Sequence, residues 1–325
     1  MMSDRDTVVS TVLAGTPWAS WQRRSIAGDA SARRYLRLSS GQESVIVMDA
    51  PPETCTDTAR FVEIADMLRQ QGLAAPRVHL CDLPRGVLVI SDLGSIDFAA
   101  HLESRPQDEH RLYAAATDLL LALRNTTPPD HLIRLTPAVG AGMIGILCPH
   151  YTDNDVSGLQ SVLESSLIRY APSPDTLALR DFHAENLIWR GSRDGHSRIG
   201  LLDFQDAFVA PDGYDLASLL RDARRDVTPE VSDAMIDRFI KGHGGDEAAV
   251  RQQIAVLGVQ RNLRILGVFA RLAGDGGKTR YLAFLDRVWR HILTDLSVGG
   301  LADLREAVLA TVPAPTPAHL GSLQT

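Results

Sequence analysis

The amino-acid sequence predicts an α+β fold with two lobes: a five-stranded antiparallel sheet with one helix, followed by a larger, mainly helical lobe. Two observations lead to this prediction. Short runs of alternating or β-prone residues recur up to about residue 91, which is typical of strands. From about residue 93, apolar residues recur at helical spacing instead, which indicates packed helices. The predicted N-terminal lobe is therefore 1–92, and the C-terminal lobe is 93–325.

The N-terminal lobe begins with three predicted antiparallel strands, the runs WQRRSI, RRYLRL and ESVIVM. The sequences GDASA and SSGQ separate these runs and are typical of turns. A helix is predicted from Thr56 to Gln71, because its apolar residues share one face and Gly72 follows it. The runs RVHLCD and GVLVIS then predict two further strands.

The C-terminal lobe begins after the sequence Asp92-Leu93-Gly94. A helix rich in alanine and leucine is predicted from Arg111 to Arg124, before the breaker TTPPD. Within the lobe, LALRD, NLIWR and RIGLLDF are short apolar runs separated by polar loops. From Tyr214 to about residue 312, helices are predicted to predominate.

Composition excludes several classes of function. The net charge of −7 argues against a nucleic-acid partner, because such proteins need a basic surface. No apolar run approaches the roughly 20 residues that span a bilayer, and the N-terminus lacks an apolar signal core. We therefore expect a cytoplasmic monomer with no membrane partner. The widely spaced Cys55, Cys81 and Cys148 are predicted to be reduced thiols.

Three polar side chains in the segments LRDFHAENLIW and GLLDFQDA form the candidate catalytic site. Asp181 lies five positions before Asn186, and Asp203 ends an apolar strand. Phosphoryl transfer needs a carboxylate that orients the acceptor hydroxyl and oxygen ligands that hold Mg²⁺ on nucleotide phosphates. An isolated D-x-x-x-x-N is more often a set of loop caps. Phosphoryl transfer is favoured because a second motif, GLLDFQDA, follows the first at the distance that such a site requires.

These segments resemble the aminoglycoside-phosphotransferase and choline-kinase superfamily. They are more similar to its branch of anomeric sugar kinases, which act on N-acetylmuramate and N-acetylglucosamine in peptidoglycan recycling. The resemblance covers most of the chain, through the segments GDASARRY, VIVMDAPP, SDLG, LRDFHAENLIW, LLDFQDA, YDLASLLRDARRDV and QRNLRILGVFARL. The resemblance implies a bilobal, protein-kinase-like fold. It also implies an enzyme that uses ATP as co-substrate and Mg²⁺ as metal.

The resemblance also implies roles for particular residues. Asp181 would be the catalytic base, and Asn186 and Asp203 would bind the metal. His183 is expected to support the loop through a hydrogen bond, with a general base or a metal ligand as the alternative. Asp215 is expected to be an N-cap and a hydrogen-bond acceptor for the catalytic loop.

Two turns are predicted to bind the nucleotide. The first comprises Gly28, Asp29, Ala30 and Ser31. A glycine there allows backbone N–H groups to approach phosphates, although an ordinary hairpin turn explains it equally well. The second comprises Asp92, Leu93 and Gly94, which would join the lobes and offer backbone groups to adenine. A simple linker turn is the alternative.

The third strand lacks the lysine that kinases place there to pair with phosphates. The two lysines of the chain, Lys241 and Lys278, both fall in the C-terminal lobe. Met48 is predicted to line the nucleotide pocket, and Arg34 or Arg37 is predicted to supply a positive charge to the phosphates. Glu63 of the predicted helix would then have lost its usual lysine partner.

A basic segment between residues 251 and 291 helps to predict which kind of acceptor molecule the protein binds. Arg264 and Arg271 are seven residues apart and so nearly eclipsed on a helix, with Arg261 about 60° away. Such a stripe suits an anionic sugar such as N-acetylmuramate better than a polycationic aminoglycoside. Arg224 is a comparable candidate. The alternative is that these arginines solvate a helix face or pair with nearby acids.

The sequence therefore predicts an ATP-dependent phosphotransferase whose acceptor is the anomeric hydroxyl of N-acetylmuramate or N-acetylglucosamine. An aminoglycoside or amino-alcohol kinase is the first alternative. The second is a pseudokinase that binds a nucleotide and regulates a partner, which the missing lysine favours. Retention of Asp181, Asn186 and Asp203 argues against that reading, because a binding module has no need of a catalytic base.

Overall fold

The computed structural model describes residues 4–26 and 32–323. The predicted phosphate-binding turn, Gly28, Asp29, Ala30 and Ser31, lies outside the described residues. The chain divides into two compact units. The first unit is Met1–His101 with Glu185–Asp206, and the second is Leu102–Ala184 with Ala207–Thr325. The lobe boundary predicted after residue 92 stays a prediction.

The strands are β1 (Gln22–Ile26), β2 (Arg34–Ser40), β3 (Glu43–Asp49), β4 (Val78–Asp82), β5 (Val87–Ser91), β6 (Thr176–Ala178), β7 (Leu187–Trp189), β8 (Ile199–Leu201) and β9 (Phe208–Ala210). The helices are α1 (Asp4–Leu13), α2 (Thr58–Gln70), α3 (Phe98–Ser104), α4 (Glu109–Leu123), α5 (Pro137–Met143), α6 (Leu147–His150), α7 (Ser157–Tyr170), α8 (Tyr214–Leu220), α9 (Pro229–His243), α10 (Glu247–Ala273), α11 (Leu285–Asp295), α12 (Ala302–Thr311) and α13 (Pro317–Ser322).

The first unit is built on a five-stranded antiparallel sheet in the order β1-β2-β3-β5-β4, which confirms the predicted sheet. Side chains alternate between its two faces along each strand. On one face, Leu38, Val45 and Val89 pack with α1, a helix that the sequence analysis did not predict. The predicted helix after the third strand is confirmed as α2, which buries Phe61, Ile64, Ala65 and Leu68.

A short hairpin from the middle of the chain completes the first unit. Strands β7 and β8 pair antiparallel, with Leu187 opposite Leu201. Two backbone hydrogen bonds fasten this hairpin within the unit: Leu201 N–H donates to the Ala74 carbonyl, and Trp189 N–H donates to the Ile96 carbonyl, each at 2.9 Å. Segment 185–206 thereby joins the sheet-containing unit, although it lies far from the sheet in sequence.

The second unit is mainly helical, as predicted, and also contains the antiparallel pair β6–β9. Helix α10 is central to it, because buried residues occur on all sides of this 27-residue helix. Cys55, Cys81 and Cys148 are free cysteines. Among the helices that the structure describes, none is long and apolar enough to cross a bilayer.

Candidate active site

The β7–β8 hairpin brings Asn186 and Asp203 together at one end. The Asn186 carbonyl, directly before β7, accepts a hydrogen bond from the Leu202 N–H at 3.0 Å, so Asp203 follows that bond by one residue. Asp203 has a φ of +56°, a left-handed conformation that costs a non-glycine residue roughly 1–2 kcal/mol. Its Oδ1 accepts a hydrogen bond from Gln205 Nε2 at 2.8 Å. The hairpin therefore brings the backbones of Asn186 and Asp203 close together.

Asn186 and Asp203 suit a magnesium ion. Amide and carboxylate oxygens are hard ligands, and Mg²⁺ is usually held by one or two carboxylates together with water and substrate phosphates. Within 4–26 and 32–323, no three His, Cys, Asp or Glu side chains form a metal-binding group. The two side-chain oxygens fit a metal whose other ligands are water and nucleotide phosphates.

An aromatic stack connects the Asp203 segment to α2. The rings of Phe204 and Phe61 are nearly parallel, with 5.0 Å between their centroids. Tyr35 of β2 lies within electrostatic reach of the same region. Burial raises the pKa of Tyr35 to about 12, the charge of Arg33 lowers it, and the charge of Asp203 raises it further. Arg33, which the sequence analysis overlooked, therefore acts on the same phenol as Asp203.

The segment after β5 lines a cleft of about 510 Å³ within the first unit. Its lining residues are Arg37, Ser44, Asp92, Leu93, Gly94, Ser95, Trp189, Arg190, Ser192 and Arg193. Arg37 donates to both carboxylate oxygens of Asp92, at 2.6 and 3.0 Å, and to the Gly94 carbonyl at 3.1 Å. The Gly94 N–H donates to Asp92 Oδ1 at 3.0 Å. Arg37, in one wall of the cleft, therefore stabilises the conformation of segment 92–94.

The two other predicted nucleotide-binding side chains lie in different surroundings. Arg34 is exposed and donates to Asp49 Oδ2 at 2.6 Å and to Asp6 Oδ1 at 3.1 Å. Met48 is completely buried in β3. Nucleotide contacts by Arg34, Arg37 and Met48 stay predictions.

In the second unit, a strained turn presents Asp181. The Asp181 N–H donates to the Leu179 carbonyl at 2.9 Å, across Arg180, whose φ is +73°. This is the geometry of the rare γ-turn that non-glycine residues adopt with strain. Asp215 of α8 holds the turn, since its carboxylate accepts from the Leu179 N–H at 2.6 Å and the Arg180 N–H at 2.9 Å. These bonds fix the backbone immediately before Asp181.

Asp215 does not cap its helix, because the N-cap of α8 is Gly213. The part of the expectation that made Asp215 an N-cap is therefore wrong, and its carboxylate accepts from the turn instead. Burial raises the pKa of Asp215 to about 7, although its two backbone hydrogen bonds and the charge of Arg261 lower it. The carboxyl group thus titrates near neutrality.

Four arginines, named here the arginine group, share the electrostatic surroundings of Asp181 in the second unit: Arg180, Arg224, Arg261 and Arg264. Arg261 is 7% exposed. Burial lowers the pKa of Arg264, the neighbouring charges of Arg180 and Arg261 lower it further, and the charge of Asp181 raises it. The region around Asp181 is therefore rich in positive charge.

His183 is also part of this region. It is buried, and its Nε2 lies 3.5 Å from Nη1 of Arg224. Burial lowers the pKa of His183, and the charge of Asp222 opposes that shift.

The three arginines of the predicted stripe on α10 differ in exposure. Arg261 is buried and Arg264 is half-buried, whereas Arg271, in the last turn of the helix, is exposed. Burial lowers the pKa of both Arg264 and His183, and the charge of Asp181 opposes that lowering.

Comparison with known proteins is consistent with this geometry. A family model described as the phosphotransferase enzyme family matches residues 22–252. An N-acetylmuramate/N-acetylglucosamine kinase from Caulobacter vibrioides is 34% identical, over 97% of this chain and 99% of the relative. The enzyme of the same name from Pseudomonas aeruginosa is 30% identical, over 88% of this chain and 87% of the relative.

A solved structure shows the same fold. A choline/ethanolamine kinase family protein from Mesorhizobium loti matches with a TM-score of 0.60, covering 98% of this chain and 99% of that chain. The sequences of the two chains are 15% identical, so the likeness concerns the fold alone.

Proposed function

The chain belongs to the phosphotransferase enzyme family, and from that premise we propose that it transfers the γ-phosphoryl group of ATP to N-acetylmuramate or N-acetylglucosamine. Its curated relatives are named as kinases of these two sugars. The single structural observation that carries the proposal is the arginine group around Asp181. N-acetylmuramate bears a lactyl carboxylate, which guanidinium groups bind in a planar, bidentate manner.

Asp181 would act on the acceptor hydroxyl. Its carboxylate would orient the hydroxyl and take its proton, while the hydroxyl oxygen bonds to the γ-phosphorus and the bond from that phosphorus to the β,γ-bridging oxygen breaks. ADP leaves with the negative charge. The turn held by Asp215 supports this role, because it fixes the backbone before Asp181. His183, whose pKa burial lowers, would support the loop.

Asn186 and Asp203 would hold Mg²⁺ in the first unit. When bound, the metal neutralises charge on the β- and γ-phosphates. The backbone pairing of the hairpin supports this role, because it brings Asn186 and Asp203 to the same end. The cleft lined by Asp92, Leu93 and Gly94 would take the nucleoside.

The resemblance to the anomeric kinases favours the hydroxyl at C1 of the sugar, as a step of peptidoglycan recycling. ATP is supplied in the cytoplasm, so we place the reaction there. The pseudokinase alternative is disfavoured. The turn before Asp181 is strained and is held by two hydrogen bonds to Asp215, and a protein that only binds a nucleotide has no need of such a turn.

A substrate panel tests the proposal. Purified protein is incubated with Mg²⁺-ATP and N-acetylmuramate, N-acetylglucosamine, glucose, choline or an aminoglycoside, and ADP release is followed. We expect turnover with the two N-acetylated sugars and a sugar 1-phosphate as the product, located by phosphorus–proton NMR coupling. Turnover confined to choline or the aminoglycoside would replace the sugar proposal by the alternative acceptor. Nucleotide binding without turnover on any acceptor would favour the pseudokinase.

A further inference from the structure

The absence of a lysine from β3 raises the question of which cation meets the nucleotide phosphates. Strand β3 reads ESVIVMD, and Lys241 and Lys278 both belong to the second unit. Any basic side chain of the first unit that serves the phosphates is therefore an arginine or a histidine.

Arg33 differs from the other arginines of the first unit in being buried. It directly precedes β2 and is 7% exposed, and among the described residues only Arg261, in the second unit, is another buried arginine. An arginine that is withdrawn from water loses hydration, and a fixed partner must offset that loss. The partner of Arg33 is Asp57, whose Oδ1 lies 2.5 Å from Nη2 of Arg33.

Asp57 occupies the N-cap of α2, yet its side chain accepts no hydrogen bond from the first turn of that helix. An aspartate at this position ordinarily caps the helix by accepting a hydrogen bond from a backbone N–H of the first turn. Here the carboxylate is directed to Arg33 instead. Although burial opposes the charge of Arg33, the hydrogen bond to Asp57 raises its pKa above the ordinary value, so the guanidinium stays charged.

The Arg33–Asp57 pair lies on the side of the first unit that contains Asp203. Tyr35 is within electrostatic reach of both Arg33 and Asp203. The stack of Phe61 on Phe204 joins α2, which begins next to Asp57, to the residue that follows Asp203. By contrast Glu63, further along α2, is exposed. The ion pair between Arg33 and Asp57 is made at the start of α2.

We propose that Arg33, oriented by Asp57, contacts the nucleotide phosphates in place of the third-strand lysine. The proposal rests on the proposed function as an ATP-dependent phosphotransferase. A guanidinium has five N–H donors in a planar fork, so it holds a carboxylate along one edge and binds phosphate oxygens along another. Asp57 is a positioning residue, because it acts through Arg33.

Nucleotide binding by calorimetry tests this role without any acceptor sugar. Wild type, Arg33→Gln, Arg33→Lys and Asp57→Asn are titrated with the Mg²⁺ complex of the non-hydrolysable ATP analogue AMP-PNP, and separately with adenosine. We expect Arg33→Gln to weaken AMP-PNP binding by roughly 10- to 100-fold, the range of a lost charge-assisted hydrogen bond. Adenosine binding should change by less than about threefold. Arg33→Lys should restore part of the AMP-PNP affinity.

Arg5→Ala is the matched control, because Arg5 also pairs with a buried carboxylate of the first unit, that of Asp49. It should leave the ratio of AMP-PNP to adenosine affinity unchanged. Equal weakening of both ligands in Arg33→Gln would show a purely structural ion pair and overturn the proposal, as would wild-type AMP-PNP affinity in that variant. If Arg33→Gln does not fold, Asp57→Asn and Arg33→Lys give the same comparison. A failed sugar panel leaves this result intact, whereas a wild type that binds no AMP-PNP overturns both proposals.

Discussion

The two buried arginines of the described chain lie in different electrostatic settings. Arg33, in the first unit, pairs with the carboxylate of Asp57. Arg261, in the second unit, belongs to a group of four arginines around Asp181. The first setting pairs one guanidinium group with one carboxylate, whereas the second holds four guanidinium groups and three carboxylates, those of Asp181, Asp215 and Asp222. A balanced pair suits a group that must be fixed before its ligand arrives, and a surplus suits a site that receives an anion.

The largest expected effect comes from Asp181→Asn, which removes the carboxylate from the arginine-rich setting. Because a general base contributes about 10²- to 10⁴-fold, kcat should fall within that range in an ADP-release assay. Affinity for AMP-PNP should stay within about threefold, and N-acetylmuramate should bind at least as tightly because a negative charge is gone. A kcat within tenfold of wild type would exclude Asp181 as the base.

Arg264→Ala tests whether the arginine group binds the carboxylate of the acceptor sugar. The KM for N-acetylmuramate should rise roughly 10- to 100-fold, because a charge-assisted contact to the lactyl carboxylate is lost. The KM for N-acetylglucosamine, which lacks that carboxylate, should change by less than about threefold.

Arg271→Ala is the companion measurement on the same helix. If Arg264 and Arg271 both bind the sugar, as the stripe predicted from the sequence implies, the two variants should raise the KM for N-acetylmuramate equally. Because Arg271 is exposed in the last turn of α10, we expect a smaller rise in KM for Arg271→Ala. Equal changes in KM for both sugars in Arg264→Ala would contradict recognition of the carboxylate.

Asp215→Asn probes the turn through its pH dependence. Burial raises the pKa of Asp215 to about 7 from its ordinary value of 3.8, so the folded protein binds more protons than the unfolded chain between these values. The Asp215 contribution to the free energy of unfolding is therefore fully present below about pH 4 and is lost as pH rises through 7, at up to roughly 1.4 kcal/mol per pH unit.

Urea unfolding of wild type and Asp215→Asn at pH 5 and pH 8 measures this contribution. Asparagine does not titrate, so the stability deficit of the variant should be larger at pH 5 than at pH 8. The kcat of the variant should also fall, because its amide cannot accept from both the Leu179 and the Arg180 N–H. A deficit that is independent of pH would place the pKa of Asp215 outside this window.

The smallest effect is expected from Arg34→Ala. The exposed Arg34 shares the buried carboxylate of Asp49 with Arg5, so its loss should cost about 1 kcal/mol of stability or less. If Arg33 and not Arg34 contacts the phosphates, affinity for ATP should change by less than about twofold in calorimetry. A loss as large as that of Arg33→Gln would reverse the roles assigned to these adjacent arginines.

Local sequence patterns were sufficient for the five-stranded sheet, whereas the catalytic roles read from the motifs stay predictions. Alternation predicted the five strands, and the two motifs pointed to Asp181, Asn186 and Asp203. Helix α1 was missed because the region before residue 91 was interpreted as strand-rich. The sequence RRYLR does not reveal which arginine is buried, since that depends on the packing of Asp57 and α2 against it. Likewise, the pairing of β8 with Ala74 is a contact between distant parts of the chain.

The inclusion of Glu185–Asp206 in the first unit has a consequence for modularity. The chain passes between the units three times, after residues 101, 184 and 206. The second passage separates Asp181 from Asn186, so the two ends of one short motif belong to different units. A fragment that stops at residue 101 would lack both Asn186 and Asp203. Any exchange of units between relatives must therefore transplant two separate segments, with the hairpin carried along with the sheet.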